Sequence, residues 1–117
     1  MLSSSDLKQF TGTTRYYRHW LQRFVYTEGI DYVADKGSAH WLLDAIASYQ
    51  PQLLKDPMLQ EFQAWKLTVN ADHTATLVCE RDTDDVVVTQ DIPLTDFPLD
   101  EFRLYLVQGV LMLPSEY

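Results

Sequence analysis

The stretch Phe102-Arg103-Leu104-Tyr105-Leu106-Val107-Gln108-Gly109-Val110-Leu111-Met112-Leu113 decides how this chain folds. Gln108-Gly109 is two-residue hairpin chemistry: a tight turn between twisted strands needs positive φ, which glycine adopts without steric cost. Such a turn sets Val107 opposite Val110 and Leu104 opposite Leu113. One face of the hairpin then carries Leu104, Leu106, Leu111 and Leu113, and the other Tyr105, Val107, Val110 and Met112. Both faces are apolar, so the hairpin is expected to be sandwiched rather than half solvated. Either helices cover one face and a second copy of the chain covers the other, making a homodimer, or the hairpin is a central pair.

Upstream the period is also two. Phe62–Val69 alternates, with Gln63, Trp65, Leu67 and Val69 on one face. Asn70-Ala71-Asp72-His73 is turn chemistry, 74–81 puts Ala75, Leu77 and Cys79 inward, Asp82-Thr83-Asp84-Asp85 turns again, and Val86–Ile92 returns. These runs predict an antiparallel meander.

Before residue 61 the period is helical. Ser3 to Ser5 reads as an N-cap for one turn over 6–10, broken by Thr11-Gly12-Thr13-Thr14. Residues 15–26 are aromatic-rich and ambiguous between strand and helix; their tyrosines and the closing Phe24-Val25-Tyr26 favour an extended start. Thr27 caps a helix with Ile30, Val33 and Ala34 inward and Gly37 at its end. Ser38 is expected to cap a second, with Ala39, Leu42, Leu43, Ile46 and Tyr49 as its apolar stripe and His40, Asp44 and Ala47 opposite. Pro51 and Pro57 limit its continuation. The expected architecture is a single α+β domain over 1–117, with N-terminal helices packed on a mostly antiparallel sheet of about five strands.

Composition excludes disorder and collagen-like structure, since 46% of residues are apolar and 22% charged. A chain of this length buries roughly 65% of its extended surface, enough for one core. The single cysteine, Cys79, cannot form an internal disulfide, which points to a reducing compartment. With no signal-peptide pattern and no run long enough to span a bilayer, a cytoplasmic protein is expected.

Charge is segregated. Residues 1–66 hold seven basic and seven acidic side chains, whereas 67–117 hold Arg81 and Arg103 against ten acids, so the net charge of −8 lies entirely in the second half. Such a balance disfavours nucleic acid and anionic lipid, both polyanions, and permits docking onto a basic protein surface, while the plain reading is that acidity only aids solubility. Asp82, Asp84, Asp85, Asp91, Asp96, Asp100 and Glu101 are the candidate binding residues, expected to gather into one negative patch.

Two other constellations compete. Tyr17, Arg18, His19 and His40 would form a ligand or catalytic cleft if they converge. Arg15, Arg18 and Arg23, interleaved with Tyr16, Tyr17, His19, Trp20 and Phe24, have the cation-and-ring chemistry of a single-stranded nucleic-acid binder. Three cations give little affinity at physiological salt, and the plain reading makes these rings core. His40 and Asp44, at i and i+4, are too few to hold a metal, and no glycine-rich phosphate loop exists, so no metal or cofactor is expected. The dipeptide His-Trp occurs twice, at 19–20 and 40–41, and a partly exposed Trp41 would make an interface anchor. Cys79 falls on an inward strand face, where a thiol behaves as a small hydrophobe, and Pro114–Tyr117 either frays or docks back on the domain.

Phe10-Thr11-Gly12-Thr13, Tyr16-Tyr17-Arg18-His19, Tyr26-Thr27-Glu28-Gly29 and Trp41-Leu42-Leu43-Asp44-Ala45-Ile46-Ala47-Ser48-Tyr49-Gln50 form a familiar set with Asp96-Phe97-Pro98-Leu99, Leu104-Tyr105-Leu106 and Gly109-Val110-Leu111-Met112-Leu113-Pro114-Ser115-Glu116-Tyr117. Together they resemble an uncharacterised family of small bacterial proteins associated with plasmids and phages, the closing segment being the most specific part. The family offers no catalytic residues to carry over. It implies an accessory or counter-defence factor of a mobile element that binds a host protein.

Overall fold

The computed structural model describes residues 7–10, 15–21 and 23–117, and shows an α+β fold whose helices lie on one face of a seven-stranded mixed sheet. In chain order the elements are β1 (Tyr16–Arg18), β2 (Val25–Thr27), α1 (Glu28–Lys36), α2 (His40–Leu53), α3 (Pro57–Glu61), β3 (Phe62–Val69), β4 (Ala75–Asp82), β5 (Asp85–Ile92), β6 (Glu101–Val107) and β7 (Val110–Met112). A 3-10 turn over Pro114–Glu116 follows. The strand order is β1-β2-β7-β6-β3-β4-β5, antiparallel throughout except for the parallel β2–β7 pair.

The sheet therefore has more than the five strands the alternation predicts, and the helices are not all N-terminal, because β1 and β2 precede them. Three-residue strands are too short for a period of two to register, and this pair comes from the ambiguous aromatic segment. The expected N-cap at Ser3 to Ser5 and the break at 11–14 lie outside the described residues. Leu7–Phe10 forms one turn, closed by Phe10 N–H donating to the Leu7 carbonyl at 3.2 Å.

Local chemistry explains the helix ends. The Thr27 hydroxyl oxygen accepts from Ile30 N–H at 3.3 Å, and Gly37 N–H donates to the Val33 carbonyl at 2.8 Å. Ser38 is not a cap: it takes φ 51°, Ala39 stands at the N-cap position, and Ala39 N–H bonds back to the Ala34 carbonyl. The α1–α2 corner is too tight for a side-chain cap. Ala47, expected on the polar side of α2, is fully buried, since a helix flanked by both α1 and the sheet hides more than one stripe. Pro51 lies within α2, which ends at Leu53, and Asp56 caps α3 with Pro57 at its start.

The hairpin forms as the turn chemistry dictates, with Gln108 at φ 48°, Gly109 at φ 83° and Val107 opposite Val110. Leu104, Leu106 and Leu111 join Trp65, Leu67, Leu77 and Cys79 on the inner face of the sheet, beneath Ile30, Val33, Leu42 and Ile46 of the helices. Within this core Gln50 of α2 and Gln63 of β3 exchange amide hydrogen bonds at 3.0 and 2.8 Å. Their remaining hydrogens reach the Ile46 and Leu59 carbonyls, and Trp65 Nε1–H donates to Gln63 Oε1 at 2.9 Å. A buried polar pair satisfied in this way fixes the depth at which α2 sits on the sheet.

The outer face is different. Phe62, Ala64, Lys66, Val78, Glu80, Arg103, Tyr105, Val107, Val110 and Met112 point there, and among the described residues no helix covers them. Tyr117 lies on it, its ring 5.6 Å from those of both Phe62 and Tyr105.

Candidate functional site

The fold divides the acidic candidates between opposite ends of the sheet instead of making one patch. Asp82, Asp84 and Asp85 sit at the β4–β5 turn. Asp91, Asp96, Asp100 and Glu101 lie at the far end, about 20 Å along the strands at ~3.3 Å per residue. There the β3–β4 turn meets the 93–100 connection. Thr95 N–H donates to the His73 carbonyl at 2.8 Å and Val69 N–H to that of Asp100 at 2.7 Å.

The two groups differ in how their charge is used. At the β4–β5 turn, Arg81 Nε donates to Asp85 Oδ2 at 2.8 Å and Nη1 to Asp56 Oδ2 at 2.7 Å. Asp85 first, then Asp56, hold the guanidinium above its ordinary pKa, and the Arg81 hydrogen bond holds Asp56 below the usual carboxylate range. The Glu80 carboxylate is occupied with Asp84 N–H, and Asp82 with Thr83 N–H. At the far end Glu101 accepts from Arg103 Nε at 2.8 Å, which lowers its pKa. Asp91, Asp96 and Asp100 are exposed and, among the described residues, in no ion pair.

Asp72 and Leu94 join that end and were not candidates from sequence. Hydrogen bonds from the Thr74 hydroxyl and N–H lower the Asp72 pKa, so it stays ionised in mild acid. Leu94, 76% exposed, stands beside a cavity of about 480 Å³ that His73, Thr95 and Asp96 complete. The signals available were a turn and an apolar residue between Pro93 and Asp96, and neither is specific.

The cleft candidates do converge. Arg18, His19 and His40 line a cavity of about 240 Å³ with Trp20, Tyr26 and Asp44, while Tyr17 stacks on Tyr26 at 5.6 Å. The buried His19 is fully engaged: Leu21 N–H donates to its Nδ1 at 3.1 Å, so the ring proton resides on Nε2 and is donated to Asp44 Oδ1 at 2.8 Å. Trp20 Nε1–H donates to the same oxygen at 2.8 Å. No nitrogen of His19 is left to take a proton from a substrate. Asp44 pairs with His19, not with its helical neighbour His40.

The twin dipeptides take opposite roles. His19 is buried beside an exposed Trp20, whereas His40 is exposed beside a half-buried Trp41. In the aromatic segment Phe24 and His19 are buried with rings 5.0 Å apart, and Tyr16 and Trp20 remain exposed beside Arg15, Arg18 and Arg23. The Cys79 thiol is buried, which pushes its pKa up to about 12 and makes it a poor nucleophile. No group of three His, Cys, Asp or Glu side chains among the described residues could hold a metal ion, and no described helix is long and apolar enough to cross a membrane.

The closing segment docks instead of fraying. Glu116 Oε1 accepts from the Thr27 hydroxyl at 2.6 Å and from Leu113 N–H at 2.9 Å, and the Ser115 hydroxyl donates to the Phe10 carbonyl at 2.6 Å. The carboxylate lies against the first turn of α1, where a Cβ on Gly29 would come within 2.7 Å of Oε1. A helix N-terminus favours the negative charge there, and Gly29 leaves room for it. No curated protein and no solved structure matches the chain. A family model does, over residues 1–117, so that strands, helices and closing latch all fall within it: the chain belongs to the family of unknown function DUF6876.

Proposed function

We propose that this chain is a non-enzymatic binding protein that engages a basic surface of another protein through the far end of its sheet. One observation carries the reading. Leu94, 76% exposed, stands at the same end as Asp72, Asp91, Asp96 and Asp100, none of them in an ion pair among the described residues. An apolar centre within a charged rim is the anatomy of a protein interface, and the free carboxylates steer a cationic partner towards it. Of the acidic candidates, Asp91, Asp96, Asp100 and Glu101 form this surface. Asp82, Asp84 and Asp85 serve the β4–β5 turn.

In the fuller form of this proposal the chain is an accessory or counter-defence factor of a plasmid or phage. It acts in the bacterial cytoplasm on a host protein whose basic surface normally holds nucleic acid, and the closing GVLMLPSEY segment (109–117) is a family signature because its end latches α1. The free Cys79 suits that compartment. The tagged chain, incubated with extract of its own host, should capture a basic protein that salt elutes. D91K/D96K should abolish the capture and D84K/D85K should leave it. Capture that survives D91K/D96K, or that ignores salt, overturns the reading.

A second reading rests on the convergence of Arg18, His19 and His40: a small anionic ligand held by Arg18 and His40 beneath Trp20. With His19 fully bonded it is a binding site, not a proton-transfer site. Titration of the protein with inorganic phosphate and with nucleotides, read by tryptophan emission, tests it, and no change dismisses it. A low-salt gel shift with single-stranded oligonucleotide tests Arg15, Arg18 and Arg23 in the same way.

A further inference from the structure

We propose that the open edge of β6 at residues 101–103 is a strand-addition site, which takes an extended segment of a partner protein and seats one of its apolar side chains in the adjoining cavity. The phase of the ladder locates the edge. Val69 N–H donates to the Asp100 carbonyl at 2.7 Å and Gln108 N–H to that of Glu61 at 3.1 Å, so the even-numbered residues of β6 bond to β3. The odd-numbered residues turn N–H and C=O the other way. There Tyr105 and Val107 meet Met112 and Val110 of β7. The next position of that register falls to Pro114, which has no N–H for the Arg103 carbonyl. The Pro114 carbonyl accepts instead from Tyr117 N–H at 3.2 Å. On this side the N–H and C=O groups of Glu101 and Arg103 therefore have no backbone partner among the described residues.

A cavity of about 460 Å³ opens beside this edge. Leu7, Leu99, Phe102 and Leu113, each in the core or packed against it, make its lining apolar. The charged residues around it are Lys8, Glu101 and Arg103, two cations to one carboxylate on a chain of net charge −8. The site is separate from the Leu94 surface, with which it shares Glu101 but neither Leu94 nor Asp91 nor Asp96.

Edge, cavity and charge together specify the occupant. Donors and acceptors in strand register are met by an extended backbone, whereas a lipid tail or small apolar ligand would leave them unmet. A helix, its backbone bonded internally, has nothing to give them. The side chains of an added strand share the faces of the β6 residues they stand opposite. A residue opposite Arg103 lies on the outer face beside that cation, with Lys66 on the strand beyond. Its sequence neighbour, opposite Phe102, lies on the inner face and enters the cavity. The partner segment is therefore one in which an acidic residue adjoins an apolar one.

The test is fluorescence anisotropy of the full chain with a labelled, end-capped eight-residue peptide that alternates valine with threonine and carries glutamate at one central threonine position. Saturable binding in the micromolar range is expected. The same peptide N-methylated along its bonding edge should bind about tenfold more weakly, and a lysine-for-glutamate version about fivefold more weakly. L99W, which fills the cavity, should cost about tenfold. R103P, which removes an edge N–H and leaves the β3 ladder intact, should cost as much, against about threefold for R103A, which keeps that N–H. Circular dichroism checks the fold of each variant, and should R103P fail to fold, L99W and the methylated peptide decide. No binding up to about 500 µM, equal affinity for the methylated peptide, indifference to L99W, or displacement of the peptide by dodecanoate alone would overturn the proposal. D91K/D96K should leave the peptide affinity within about threefold, so this result and the capture experiment stand apart.

Discussion

The two faces of one sheet differ by a single residue of spacing along each strand. On β3, Gln63, Trp65 and Leu67 face the helices and are closed off completely. Phe62, Ala64, Lys66 and Thr68 face away and are only half covered. The inner face is completed by the chain itself, down to the reciprocal Gln50–Gln63 amides. Among the described residues, the Tyr117 ring lies on the outer face, against Phe62 and Tyr105. A period of two can therefore close one side of a strand completely and leave the other half open, and adjacent substitutions should separate the two.

The largest effect is expected at Trp65. Trp65→Ala should cost about 3 to 5 kcal/mol in urea unfolding, against about 1 to 2 kcal/mol for Tyr105→Ala, half-buried against Phe62 and Tyr117 on the opposite face of the neighbouring strand. Equal costs would break the comparison. Next comes Gln63→Leu, which strands the Trp65 indole N–H and a Gln50 hydrogen and should cost about 1 to 3 kcal/mol. Gln50→Leu combined with it should recover only the part owed to Gln50, because the Trp65 indole N–H still lacks its acceptor. Failure to recover would mean that the amides are needed for more than mutual satisfaction. Glu116→Ala should cost about 1 to 2 kcal/mol in urea unfolding by releasing Thr27 and the N-terminus of α1.

The smallest effect is in acid. Asp56, Asp72 and Glu101 have folded pKa values below their ordinary 3.8, 3.8 and 4.5. Their contribution is complete above those values and is lost as pH falls through the lower folded ones. Asp72 and Glu101 are exposed and Asp56 is only half-buried, so the loss should be slight and should fade in high salt. A thermal denaturation series from pH 6 to pH 3 at low and high salt reads it. A steep loss centred above pH 5 would point to some other group.

What could be read from the chain followed the range of its interactions. Gln108-Gly109 announces its hairpin within two residues, and the alternations of 62–69 and 75–82 need only their own letters. Thr27 and Gly37 likewise mark the ends of α1 locally. The rest depends on distant partners. Nothing near Asp44 says that it will meet His19 and Trp20 rather than His40. Nothing near Glu116 names Thr27. Val25 and Tyr26 become a strand because β7 accepts them. Ser38 misleads because tertiary packing, not its hydroxyl, sets the α1–α2 corner. The acid-rich composition was plain in the sequence. Its division between an Arg81-bound end and a free end follows from which turn each carboxylate occupies.

The parallel ladder between β2 and β7 joins Val25 to Val110 and Tyr26 to Leu111, so it links regions near the two ends of the chain through a short seam. Closing so long a loop costs more chain entropy than closing the local hairpins. That seam is thus the natural site of partial opening. A transient departure of β1 and β2 would bare the backbone edge of β7, adding a further site for strand exchange to the edge that β5 already presents at the other side of the sheet.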